Sequence, residues 1–148
     1  MTAKLAQAVA LLDRLAGYTF ENDRLLLEAI DTTRMRVPQS NQRLALLGDA
    51  LLKHVLLDDW YPTGTPKGSG NAIVSRIGSN LNLASVARDC DIEPCIITHP
   101  GHRGAVSAAT LSTTVEAVLG AIYLDSDKSM TAVRGTMRAF GLMPSMAD

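Results

Sequence analysis

The chain has 148 residues, of which 47% are hydrophobic and 20% are charged, as in an ordinary globular protein of one domain. Its net charge of −1 argues mildly against nucleic-acid binding, because phosphate neutralisation needs a locally basic face. Cys90 and Cys95 have no second cysteine pair, which argues against a zinc site and a disulfide scaffold. No apolar run reaches the roughly 18 residues of a transmembrane helix. We therefore expect no membrane partner and an intracellular protein, cytoplasmic by default, with mitochondrial and nuclear locations left open.

Scarce aromatic residues (4%) and abundant Ala and Leu favour helices over strands, because Ala and Leu lose little on entering a helix. The helical spacing of apolar residues predicts seven helices. In chain order they cover residues 3–15, with Thr2 as the cap, then 22–30, 41–60, 71–79, 81–90, 109–124 and 128–140. Residues 31–40, 62–70 and 91–105 are predicted loops. No repeat or linker marks a second domain, so residues 1–148 are predicted to form one all-α domain.

Two carboxylates stand in the two most apolar predicted helices. Asp49 lies within Leu-Leu-Gly-Asp-Ala-Leu-Leu, and Glu116 lies within Val-Glu-Ala-Val-Leu. A lone ionised carboxylate in a buried helix is costly unless it is paired, hydrogen-bonded or bound to a metal. One such residue is usually structural, whereas two favour a shared site. If the helices pack together, their spacing allows one pocket lined by Ala45, Asp49, Thr113 and Glu116, where a hard cation such as Mg²⁺ would find oxygen ligands.

The segment at residues 41–52, Asn-Gln-Arg-Leu-Ala-Leu-Leu-Gly-Asp-Ala-Leu-Leu, resembles a known signature. Eight of its twelve residues are identical to the ribonuclease III signature, commonly written N-E-R-L-E-F-L-G-D-A-V-L. Residues 11–30, 75–88 and 110–126 resemble the opening helices, the middle helices and the second catalytic helix of that family. The ordered set covers nearly the whole chain and is more specific than one short motif.

The resemblance implies an all-α ribonuclease III endonuclease domain that forms a dimer. Such a dimer places two catalytic centres across a valley that holds A-form double-stranded RNA. In active members four acidic positions hold Mg²⁺, which activates water for attack on a backbone phosphate. Carried over by position, Asp49 and Glu116 match two of these catalytic metal ligands, with Mg²⁺ or Mn²⁺ as the implied cofactor.

The differences from the family pattern lie at positions that would bind the catalytic metal or neighbour it. Ala45 stands where the signature has its second Glu, and Thr113 stands where an Asp is expected. The first Glu of the signature is Gln42, and Thr-His-Arg-Ser appears as Asp-Thr-Thr-Arg at residues 31–34. Ala45 offers no ligand and Thr113 only a neutral hydroxyl. The resemblance therefore implies a weakened one-metal site, with rate losses of orders of magnitude for missing catalytic groups.

The resemblance also indicates candidate contacts with RNA and with a partner subunit. The separate double-stranded-RNA-binding domain of the family is expected to be absent, because only residues 141–148 follow the last predicted helix. Lys67, Arg76 and Arg103, in or beside the loops that would flank the RNA, are candidate RNA contacts, although scattered cations are usually solvated surface. Leu46 stands at the aromatic signature position that inserts into the partner subunit, and it buries less area than Phe would.

Three hypotheses for function follow. The first is a metal-dependent endoribonuclease on double-stranded RNA, with Asp49 and Glu116 as surviving ligands and reduced activity. The second is a non-catalytic RNA-binding or ribosome-associated module. The third is a subunit of a heterodimer with an active homologue. The missing ligand at Ala45 slightly favours the second and third hypotheses over the first. The family resemblance makes double-stranded RNA the expected substrate or ligand in each case.

Overall fold

A computed structural model describes residues 2–145, and this part of the chain folds into seven α-helices. In chain order they are α1 (Ala3–Ala16), α2 (Asp23–Ile30), α3 (Gln42–Trp60), α4 (Lys67–Ile77), α5 (Asn80–Asp89), α6 (Ala108–Asp125) and α7 (Met130–Ala139). Within the described range the β-type pairing is limited to an isolated bridge between Asp31 and Ile97. The predicted all-α class is therefore confirmed. Met1 and residues 146–148 of the predicted domain lie outside the described residues.

Side-chain caps explain where several helices begin. The Thr2 hydroxyl accepts a hydrogen bond from the backbone N–H of Leu5 at 3.0 Å, as predicted for the start of α1. Ser79, Ser107 and Ser129 cap α5, α6 and α7 in the same way. These hydroxyls satisfy backbone donors that have no partner within their helix, which fixes the first turn of each element.

The predicted start of α4 is wrong, because this helix begins at Lys67 rather than at residue 71. Residues 67–70 contain Gly68 and Gly70, which lower the intrinsic preference for helix. Gly70, however, packs against the indole ring of Trp60, where an added Cβ would lie 2.7 Å from a ring carbon. Packing of α4 on the end of α3 thus outweighs local propensity at this position.

Helix α6 is the centre of the fold and packs against α2, α3, α5 and α7. Ten of its residues are buried, among them Leu111, Val115, Leu119 and Ile122. Burial of each large aliphatic side chain contributes about 1.5–3 kcal/mol relative to exposure. A helix that is apolar on nearly every side is stable in water only when neighbours cover it, and the surrounding helices do so here.

Helices α3 and α6 approach each other so closely that their backbones touch. A Cβ added to Gly48 would overlap the backbone carbonyl oxygen of Glu116, and one added to Gly120 would overlap that of Leu44. Both positions therefore require glycine. This contact fixes the residues that neighbour Gly48 on α3 against the middle of α6.

The connection between α2 and α3 is tied down by two buried polar residues. Asp31 is 3% exposed, and its carboxylate accepts hydrogen bonds from the Thr33 backbone and hydroxyl and from Arg36. Burial tends to raise the pKa of Asp31, but these bonds outweigh burial and lower it. The side-chain amide of Asn41 donates to the Ala29 carbonyl at 2.8 Å and to the Thr114 hydroxyl at 3.1 Å. The first residue of the signature is thus a structural link between α2, α3 and α6.

Within residues 2–145, no helix combines the length and the apolar character that crossing a membrane requires.

Candidate functional site

Two side chains interrupt the buried surface of α6. Between Leu111 and Ile122 every residue is buried except Thr113 and Glu116. These two positions are three apart and therefore lie on one face of the helix. They face the part of α3 that Gly48 brings into contact with α6. The opening in the core is therefore local, and it lies where the resemblance assigns metal ligands.

The four positions that the resemblance assigns to metal ligands line one cleft of about 520 Å³. Asp49 and Glu116 are among its lining residues, and so are the vacated positions Ala45 and Thr113. The rest of its wall is formed by Gln42, Leu46, Gly78 and Asn80. The structure thus brings together all four side chains that the sequence analysis assigned to one pocket.

Asp49 and Glu116 are less buried than the apolar sequence around them predicts. The Asp49 side chain is 32% exposed, and Glu116 is also partly exposed, because both lie on the open cleft. The fully buried carboxylate is Asp31 instead. The expectation of two acids buried in apolar helices is therefore wrong, because Gln42 and Leu46, which line the cleft with Asp49, are exposed.

The two carboxyl groups interact, and their pKa values are shifted in opposite directions. Burial and the hydrogen bond to the neighbouring Asp49 carboxylate raise the pKa of Glu116 to about 8. Burial also tends to raise the pKa of Asp49, but the hydrogen bonds from Lys53 and Glu116 outweigh this effect and lower it. The two groups titrate as a coupled pair, in which the more buried Glu116 is the harder to ionise.

Lys53 adds a positive charge to this site. Its Nζ donates a hydrogen bond to Oδ2 of Asp49 at 2.9 Å, one helical turn along α3. The bond to Asp49 raises the pKa of Lys53, so the ammonium stays charged. Sequence analysis did not single out Lys53. The signal was present in the spacing, because an acid followed by a lysine four residues later forms an ion pair on a helix.

The donor set of the cleft fits one hard cation and not two. Within residues 2–145, no group of three or more His, Cys, Asp or Glu side chains is arranged to hold a metal. Asp49 and Glu116 offer carboxylate oxygens, and the Thr113 hydroxyl, which donates to the Ala109 carbonyl at 2.8 Å, keeps its lone pairs. Asn80 Oδ1 already accepts from Ser112 Oγ at 2.8 Å. Mg²⁺ or Mn²⁺ held by so few ligands would complete its coordination with water.

The cations predicted to contact RNA are not part of the cleft. Lys67 lies at the start of α4, about 15 Å along the helix axis from Ile77 at the rise of 1.5 Å per residue. Arg76 lines a different cleft, with Trp60, and Arg103 is exposed in the connection before α6. The structure thus does not gather these three side chains around Asp49 and Glu116.

A second polar cleft adjoins the first and introduces a cation that sequence analysis missed. It has a volume of about 230 Å³ and shares Gln42 and Thr113 with the cleft of the acid pair. Arg34 lines it, in the segment that replaces Thr-His-Arg-Ser of the family. The position of Arg34 depends on the turn at residues 31–36, which the hydrogen bonds of the buried Asp31 hold in place. The spacing of residues in the sequence therefore could not predict it.

Leu46, the candidate dimer contact, is 76% exposed and lines the cleft beside the acid pair. Leu81 is 79% exposed and follows Asn80, which belongs to the same wall. Leu46 is therefore a large apolar side chain exposed at the border of the cleft, and Leu81 is a second exposed one, next in sequence to a residue of its wall.

The helices and the cleft define a class of protein, an all-helical domain in which two central helices place an acid pair in an open cleft. The model of the ribonuclease III domain family matches residues 42–127, which is more than half of the chain. This range includes both α3 and α6. The chain belongs to the ribonuclease III domain family.

Individual relatives agree with this assignment. Ribonuclease 3 of Proteus mirabilis (strain HI4320) is 36% identical over 78% of this chain, which spans about half (53%) of that relative. Two structures of the nuclease domain of ribonuclease III from Campylobacter jejuni share the fold, with TM-scores of 0.80 and 0.76. They are 22% and 20% identical, and the matches cover 89% and 93% of this chain and 95% and 97% of theirs. At these identities the two structures support the fold alone.

Proposed function

We propose that this chain acts on double-stranded RNA as a ribonuclease III domain whose metal site is reduced to Asp49 and Glu116. The observation that carries the proposal is the shared cleft, in which these two carboxyl groups contact each other while Ala45 and Thr113 add no charge. Family membership supports RNA as the substrate class. The chain spans about half of the P. mirabilis relative, so the activity of such a whole enzyme is part of the proposal.

In this proposal Asp49 and Glu116 hold one Mg²⁺ or Mn²⁺ through carboxylate oxygens. A divalent cation held there would supply positive charge to the scissile phosphate and would help to deprotonate the attacking water. The protein contributes fixed geometry, because the contact of Gly48 with the Glu116 backbone sets α3 against α6. Glu116 must release its proton before it can act as a ligand, so metal binding strengthens as pH rises towards about 8.

A contact surface for the RNA backbone is part of the same proposal. The cleft lined by Arg34 continues from the acid pair through Gln42 and Thr113, and it offers hydroxyl, amide and guanidinium groups. Such groups bind phosphate oxygens without reading sequence. Lys67, Arg76 and Arg103 remain proposed contacts for more distant phosphates.

We also propose that two copies of the chain form a homodimer. Leu46 is exposed at the border of the cleft and Leu81 is exposed at the start of α5, and a second copy would cover them. One Campylobacter jejuni structure describes flexibility in a region of that nuclease domain involved in dimer formation. A dimer would bring two clefts to one RNA duplex.

A second candidate function is supported by the ion pair between Lys53 and Asp49. Because Lys53 balances the one ionised carboxylate, the cleft is close to neutral without a metal. This balance suits a non-catalytic RNA-binding or ribosome-associated module, or a regulatory subunit of a heterodimer with an active homologue.

One experiment separates these functions. The purified chain and its Asp49→Asn, Glu116→Gln double variant are incubated with long duplex RNA in Mg²⁺ or Mn²⁺, and cleavage and gel shift are measured. Cleavage by the unaltered chain but not by the variant supports the reduced nuclease. A gel shift from both without cleavage supports the non-catalytic module. Absence of both shift and cleavage contradicts an action on double-stranded RNA by the chain alone.

A further inference from the structure

Lys53 places a positive charge directly on the acid pair. Its Nζ lies 2.9 Å from Oδ2 of Asp49, and its charge also acts on Glu116. The Lys53 side chain is 50% exposed and that of Asp49 is 32% exposed, so the pair lies at the mouth of the cleft. Lys53 is therefore not part of the buried core.

The position of this ammonium conflicts with a metal on the same carboxylate. Asp49 is one of two carboxyl groups in the cleft, so any cation bound there must ligate it. An ammonium and a divalent cation on one carboxylate would repel each other strongly, because like charges a few ångströms apart are only partly screened in a half-exposed site. The ion pair itself is of the exposed type, which stabilises a protein only slightly and is easily opened. Lys53 should therefore weaken metal binding without abolishing it.

We propose that Lys53 is the resident cation of this site and that a divalent metal binds only after the ammonium has left Asp49. The inference rests on the proposed metal site and deepens it, because it names the residue that sets the metal affinity. Asp49 is the carboxylate that the ammonium and the metal would share.

The test compares Mn²⁺ affinity of the purified chain and of Lys53→Met by calorimetric titration at constant pH. Met keeps the length of the side chain and removes its charge. We expect Lys53→Met to bind Mn²⁺ about tenfold tighter or more, since a positive charge next to the ligand is removed. Lys53→Arg, which keeps the charge, should retain the weaker affinity, and Lys128→Met, beyond the C-terminal end of α6, should not change it.

A second measurement does not depend on the titration. Without metal, Lys53→Met should unfold at a lower temperature than the unaltered chain, because Asp49 loses its counter-charge. Saturating Mn²⁺ should raise the unfolding temperature of the variant more than that of the unaltered chain. Adding Asp49→Asn to Lys53→Met should abolish this gain.

The outcomes distinguish the inference from the proposed function. If the unaltered chain and Lys53→Met bind Mn²⁺ with equal affinity through Asp49, the metal site stands and the role of Lys53 is wrong. If neither protein binds Mn²⁺, both the metal site and the role of Lys53 are wrong. Tight binding by Lys53→Arg would also overturn the inference, because the charge would then not be the cause.

Discussion

At the scale of single residues, the pKa values of Asp49 and Glu116 are shifted in opposite directions although the two acids share one cleft. The hydrogen bonds to Lys53 and Glu116 lower the pKa of Asp49, whereas burial and the adjacent Asp49 raise that of Glu116. Each group therefore depends on the other, and removal of one changes the charge of the second. The two acids act as a pair in stability as well as in metal binding.

The proton on Glu116 predicts how stability depends on pH. Its pKa is raised from 4.5 to about 8 by folding, so the folded chain keeps a proton that the unfolded chain releases. The resulting stabilisation is present below the unfolded value and is lost as pH rises through about 8. The pKa of Asp49 is lowered and the pKa of Lys53 is raised, so neither group titrates between pH 6 and pH 8.

The measurement is urea unfolding of the unaltered chain and of Glu116→Gln at pH 6 and pH 9, without divalent metal. Between pH 6 and pH 9 the free energy of unfolding should fall by about 1–3 kcal/mol more in the unaltered chain than in the variant. This estimate allows for the weakening of the effect by solvent in the open cleft. Equal losses in both proteins would show that Glu116 is ionised at neutral pH.

The acid pair could be identified from the sequence because carboxylates are unusual within apolar helices. Asp49 and Glu116 stand in apolar helices, and the signature around Asp49 adds the family positions. Lys53 and Arg34 were not identified, for different reasons. Lys53 follows the ordinary spacing of a surface ion pair, and Arg34 reaches the neighbouring cleft only through the folded turn at residues 31–36.

At the scale of helices, the contact between α3 and α6 determines the geometry of the site. Gly48 precedes Asp49 and touches the backbone of Glu116, so the glycine that permits close packing also joins the two acids. Helix existence and order were predictable from apolar spacing. The start of α4 was not, because it depends on the contact of Gly70 with Trp60, a residue distant in sequence.

Gly48→Ala is therefore expected to be strongly destabilising. The added methyl group would overlap the Glu116 carbonyl oxygen, and separation of the two helices should cost about 2–4 kcal/mol. Gly135→Ala is the matched control, because Gly135 lies in α7 with no atom near its added Cβ. That change should stabilise by about 0.5–1 kcal/mol through helix propensity. Chemical unfolding of both variants tests the claim, and a Gly48→Ala protein of unchanged stability would refute the close contact.

At the scale of the whole molecule, the cleft opens next to the exposed Leu46 rather than into a closed pocket. This arrangement predicts that Leu46→Glu reduces dimer formation without unfolding the chain, because Leu46 is 76% exposed. Tyr61→Glu is the control, since Tyr61 is 77% exposed but lies beyond the end of α3, away from the cleft. Sedimentation velocity measures both. A monomeric unaltered chain, or a Leu46→Glu variant that dimerises normally, would contradict the proposed interface.

The central claim is that this chain keeps the ribonuclease III site with two of its four acids replaced. The most direct test is the rate of duplex RNA cleavage by the Ala45→Glu, Thr113→Asp variant in Mn²⁺, compared with the unaltered chain. Restoring two charges beside Asp49 and Glu116 should raise the rate by about 100-fold or more, and Asp49→Asn should abolish the gain. A folded, RNA-binding variant that cleaves no faster than the unaltered chain would contradict the claim.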